Sequence, residues 1–170
     1  RELLLKYFDI VAIAEFGSGT FGKTGTNTVT LFLRRKKENP APADHFKNRV
    51  NAWFNFDKTK DGLFEDEHLL MQYCRHLELD FTSYQTLLKG DPDEELLKTD
   101  IFKDYQREFD KWSDIQILKN KGFFKELTKA KQQTELRKRL IAYLTDNEKE
   151  KLYYFVLASQ NPEKVLLLKS

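Results

Sequence analysis

Around the stretch from Lys36 to Pro42 the spacing of the apolar residues changes from a strand-like period of two to a helical period of about 3.6. That switch divides what the chain can build. Upstream, Leu3, Leu4 and Leu5 lie in a short helical run from Glu2 to Tyr7, and Asp9 to Phe16 follows as a β-type segment without breakers. Gly17, Gly19, Gly22 and Gly25 mark a loop. Thr28 to Arg34 then sets Val29, Leu31 and Leu33 against Thr28, Thr30 and Phe32, the pattern of a second strand buried on both faces. In the charged connector, Pro40 and Pro42 push the residues before them toward extended conformations.

Downstream, Asp44 has the place of an N-cap for a helix aligning Phe46, Val50 and Trp53. Leu69, Leu70, Tyr73, Cys74 and Leu77 form the next stripe, and Leu97, Ile101, Tyr105 and Phe109 predict a third, longer helix. Leu136, Leu140, Ile141 and Leu144 predict a fourth. Leu152, Phe155 and Val156 predict a last one, with Thr145 and Glu148 at capping-box spacing before it and Asn161-Pro162 stopping it. The reading is an α+β chain. Residues 1–37 form an edge of two strands and a helix, 38–44 a linker and 45–170 a mainly helical region.

An apolar share of 40% with 14% aromatics suffices for a core. Lys and Arg number 29 against 27 Asp and Glu, so net charge selects no partner and any electrostatic argument is local. A single cysteine, Cys74, forms no internal disulfide and fits a reduced, cytoplasmic setting. Apolar runs such as Ile10 to Ala14 and Val165 to Leu168 are too short to span a bilayer, so no membrane association is expected. The chain opens at Arg1 and has its one methionine at Met71, which reads as an excerpt of a longer protein.

Gly17-Ser18-Gly19-Thr20-Phe21-Gly22-Lys23-Thr24 satisfies the spacing of a Walker A loop. Such a loop holds phosphates because it runs into a helix whose amide groups and positive end meet the anion. Here the following residues, Gly25 to Thr30, are β-branched and alternating, which favours a strand. A P-loop NTPase is therefore the minor alternative, beside a helical protein-interaction module.

The series Leu3-Leu4-Leu5, Phe8-Asp9-Ile10-Val11-Ala12-Ile13, Gly19-Thr20-Phe21, Thr24-Gly25-Thr26-Asn27-Thr28-Val29 and Leu31-Phe32-Leu33-Arg34 resembles the late part of N6-adenine DNA methylases. The likeness is strongest to the modification subunits of type I restriction-modification systems. It is specific over the first 36 residues and general in style over Phe46 to Phe56 and Asn161 to Ser170. The resemblance implies the end of a Rossmann-like sheet whose last strand is antiparallel to its neighbours. It also implies S-adenosylmethionine as cofactor of the parent protein, with DNA, a specificity subunit and a restriction subunit as partners. It places Thr20, Phe21, Lys23, Thr24 and Thr26 on the loop facing a flipped adenine or its backbone. An aromatic there can hold an extruded base and a lysine can meet a phosphate; alternatively Phe21 plugs the sheet end and the glycines serve a tight turn.

The family's cofactor turn and its Asn/Asp-Pro-Pro-aromatic motif are missing. Asn39-Pro40-Ala41-Pro42, Asp91-Pro92-Asp93 and Asn161-Pro162-Glu163 all lack the second proline and the aromatic. No catalytic residue is expected in these 170 residues, and they should be inactive alone. Asp57 to Gly62 copies half a calcium loop but has His68 where the bidentate glutamate belongs, and His68, Cys74 and His76 do not share one helical face, so no metal is expected. From Lys119 to Arg139, eight basic residues stand against Glu126 and Glu135, a local excess of six. Within it Lys129, Lys131, Arg137 and Lys138 are the candidates for phosphate contact, with a solvated helix face as the other reading. Phe123 and Phe124 read as core.

Overall fold

The computed structural model describes residues 1–17, 27–40, 43–54, 67–162 and 164–169, with backbone alone at Ala43 and Asp44. It is an α+β protein with a small three-stranded mixed sheet and mostly helices otherwise. In chain order the described elements are α1 (Glu2–Tyr7), β1 (Phe8–Phe16), β2 (Thr28–Arg35), α2 (Ala43–Phe54), α3 (Glu67–His76) and α4 (Phe81–Leu88). They continue with α5 (Glu94–Leu97), α6 (Asp100–Lys111), α7 (Ser113–Asn120), α8 (Gly122–Lys125), α9 (Lys129–Ser159) and β3 (Leu166–Lys169). The chain divides into two compact units, Arg1–Lys47 with Tyr153–Ser170, and Asn48–Leu152.

In the first unit, β1 and β2 pair antiparallel from Phe8 opposite Arg35 to Phe16 opposite Thr28, with an irregularity between Ile10 and Ala12. These are the two strands the alternation predicts. Two features differ. The sheet has a third strand: Leu166–Lys169 lies parallel to β1, with Ala12 opposite Leu166 and Glu15 opposite Lys169, giving the order β2-β1-β3. And β2 is not buried. Val29 is 57% exposed and Phe32 49%, with Leu31 and Leu33 open as well. Apolar residues on both faces of a strand encode cover on both faces, whereas β2 sits at the sheet edge with no further strand beside it among the described residues.

Asn161 ends the helical run as expected and has a second role. Its Oδ1 accepts from the Ile10 amide at 2.8 Å and its Nδ2 donates to the Ile10 carbonyl at 3.3 Å. The side chain thus imitates a neighbouring strand for one residue, just before β3 takes over the same edge at Ala12. Asn161→Ala should destabilise this unit by about 1–3 kcal/mol, because it strands a backbone donor and acceptor; amide hydrogen exchange at Ile10 would show the loss as faster exchange.

The second unit is helical, and its local signals are clear. Val50 and Trp53 of α2 and Leu70, Tyr73 and Cys74 of α3 are buried at the spacing the sequence sets. α2 starts at Ala43, one residue ahead of the expected Asp44 cap. Asp80 caps α4 by accepting from the Ser83 amide at 2.7 Å, and Asp93 caps α5 by accepting from the Leu96 amide at 2.8 Å. The long helix expected over Leu97 to Phe109 is interrupted: Thr99 Oγ1 donates back to the Leu96 carbonyl at 2.8 Å, closing α5, and α6 restarts at Asp100 with Phe102, Tyr105 and Phe109 inward.

The two final helices expected from the sequence are one. α9 runs for 31 residues, and Thr145 and Glu148 lie inside it, so they form no capping box. The polar run from Asp146 to Lys151 reads as a boundary yet holds neither glycine nor proline, and nothing in it breaks the helix. No helix among the described residues is long and apolar enough to cross a membrane.

Candidate functional site

The loop that the methylase resemblance makes important, with Thr20, Phe21, Lys23, Thr24 and Thr26, lies outside the described residues, as does Asp57 to Gly62. Its two anchors are placed. Gly17 and Asn27 flank the end of the β1–β2 pair, around a cavity of about 330 Å³ also lined by Glu15, Phe16, Thr28, Val29 and Lys169. Lys169 of β3 reaches Glu15 of β1 at 3.6 Å, so β1 and β3 both bring charge to this end. Thr28 Oγ1 is buried there without a hydrogen-bond partner among the described residues. After Asn27 the chain is strand, not helix, so the positive helix end that a Walker-type phosphate cradle requires is missing from this position.

A larger cavity, of about 590 Å³, opens near the other end of the hairpin between Leu5, Asp9, Lys36, Asn39 and Phe46. Lys36 Nζ there donates to the Leu5 carbonyl at 3.1 Å and stands 3.8 Å from Asp9, tying the exit of β2 to the start of β1.

The four basic candidates on α9 do not converge. Lys129, Lys131 and Lys138 are exposed and form no ion pair among the described residues. Lys131 and Lys138 are two helical turns apart and share a face, while Arg137 is turned about 100° away. Arg137 is occupied: its Nη2 donates to Asp91 Oδ1 and to the Pro92 carbonyl, each at 3.2 Å. Of the aromatic pair nearby, Phe124 is core as expected, but Phe123 is 58% exposed.

The most concentrated polar arrangement is one the sequence reading missed. Glu148, fully buried on α9, accepts hydrogen bonds from three tyrosines on three other helices. Tyr73 and Tyr84 donate to Oε2 at 2.9 and 2.7 Å, and Tyr105 donates to Oε1 at 2.6 Å. The rings of Tyr73 and Tyr84 meet edge to face, and Lys151 Nζ stands 4.5 Å from the centre of the Tyr105 ring. Burial, then the charge of Glu148, pushes all three phenols well above the ordinary tyrosine range. The Cys74 thiol is pushed up to about 12 by burial first and by Glu148 and Asp80 after it, which makes it an inert core group. Chemically this is a sealed acceptor with all its donors inside the core, an arrangement that fixes four helices rather than one that meets substrate.

No three His, Cys, Asp or Glu among the described residues are grouped to hold a metal ion; His68 and His76 are exposed, and Cys74 is buried away from water. Compared with family models, with curated proteins and with solved structures, the chain finds no match.

Proposed function

We propose that this chain is the distal part of a type I restriction-modification DNA adenine-N6 methyltransferase subunit. Residues 1–37 would be the far edge of its Rossmann-like sheet, followed by the helical region. The observation that supports this most is β2. It runs antiparallel to its neighbour directly after the glycine-rich loop, and its outer edge and apolar side chains are open. A last strand antiparallel to its neighbours, at the end of the sheet, is what the resemblance describes. On this reading the protein is cytoplasmic, and S-adenosylmethionine and the catalytic motif belong to the rest of the subunit. Specificity and restriction subunits would assemble on it. Thr20, Phe21, Lys23, Thr24 and Thr26 would line the side of the site facing the flipped adenine, Phe21 against the base and Lys23 toward a phosphate. Lys129, Lys131 and Lys138 would meet the DNA backbone, whereas Arg137 is already engaged.

The test uses the full subunit with its partners. Its coding sequence should carry the double-proline aromatic motif upstream of Arg1, and the purified complex should transfer labelled methyl groups to adenine in duplex DNA. Phe21→Ala should then cut the rate about 100-fold, corresponding to a loss of about 2–3 kcal/mol of hold on the extruded base. An upstream sequence without that motif overturns the reading, and so does methyl transfer by these 170 residues alone.

A further inference from the structure

α7 and α8 carry a combination that the methylase reading does not use. Trp112 before α7, Ile117 on it and Phe123 on α8 are 44%, 56% and 58% exposed. α7 opens with the exposed Asp114, and from Lys119 onward the same stretch is basic. Lys119 is tied to Asp110 at 3.2 Å, but Lys121 and Lys125 are exposed and make no ion pair among the described residues, and Glu126 is the one acid between Lys119 and Lys131.

The Lys125 amide bonds to the Lys121 carbonyl at 3.2 Å, which stacks the two lysines one turn apart. Helical spacing of about 100° per residue then puts Phe123 and Lys125 on opposite flanks of the exposed crest of α8, with Phe124 buried beneath. A ring left in water gains by being covered. Its cationic surroundings select an anionic cover. A duplex keeps its base faces stacked inside, so it offers this ring only phosphates. A single strand offers a flat aromatic face and a phosphate within one nucleotide of each other.

We propose that the α7–α8 surface binds single-stranded nucleic acid, with Phe123 stacking on an unpaired base and Lys121 and Lys125 holding adjoining phosphates. The proposal stands independently of the methylase reading, because it requires neither the cofactor nor the loop after β1.

The test is fluorescence anisotropy of the whole chain with labelled oligothymidylate and with a duplex of equal length. The single strand should bind more tightly. Phe123→Ala should weaken it about tenfold and leave the duplex unchanged, since stacking on one base is worth about that factor. Phe123→Trp should keep the affinity and show quenched emission on binding. Lys121→Glu with Lys125→Glu should weaken binding and flatten its salt dependence. Phe123 is exposed, so the variants should keep the helical circular dichroism of the parent. Equal affinity for Phe123→Ala, equal affinity for duplex, no binding at low salt, or displacement by polyglutamate as readily as by oligothymidylate would each overturn the proposal.

Discussion

Glu148→Leu should cost the helical unit about 3–6 kcal/mol, a large part of the roughly 5–15 kcal/mol that holds an ordinary domain together. The substitution removes the one acceptor shared by Tyr73, Tyr84 and Tyr105, leaving three buried phenols without a partner. Glu148→Gln should cost less. Its amide oxygen at the Oε2 position keeps Tyr73 and Tyr84, and only the donor of Tyr105 then faces an NH2 group. Adding Tyr105→Phe to Glu148→Gln should recover part of the loss. Urea unfolding followed by circular dichroism reads all three variants. A Glu148→Leu protein as stable as the parent would mean that the network contributes nothing net, as some buried charged groups do.

Alkaline pH should unfold the same unit. Tyr73, Tyr84 and Tyr105 have folded-state pKa values raised above the unfolded value of 10.0, and Cys74 is raised from 9.0 to about 12. Above those unfolded values the folded chain therefore holds more protons than the unfolded chain, and stability falls as pH rises. The contribution is complete below about pH 9. It then declines, by up to about 4 kcal/mol per pH unit once all three phenols ionise on unfolding, at roughly 1.4 kcal/mol for each. The phenolate absorbance of these tyrosines should appear together with the loss of helical signal. If the phenolate band developed fully while the helices stayed intact, the buried network would be refuted.

What could be read in the sequence was what neighbouring residues decide. The β1 and β2 segments and the stripes of α2 and α3 follow from spacing alone, because the apolar period of each element shows within a few residues. β3 escaped as a strand of this sheet since Leu166, Leu167 and Leu168 show no alternation, and their partner, β1, lies at the other end of the chain. Glu148 carried a usable signal. Leu144, Glu148, Leu152 and Val156 recur every fourth residue and all are fully buried, so the acid interrupts an apolar ladder. Its distance of three residues from Thr145 invited the capping reading instead. In the same way, Phe123 and Phe124 are alike in composition, and only the packing of α8 separates the exposed ring from the core one.

The split of the chain between its two units also orders its synthesis. Asn48–Leu152 is one uninterrupted segment, so all of its helices have been made before β3 is. The sheet cannot close so early. β1 is made long before its partner Leu166–Lys169 and the Asn161 clamp, Ile10 and Asn161 being 151 residues apart. Until then β1 has one flank unguarded, and that interval is when a chaperone or an incoming strand has its opportunity to bind it.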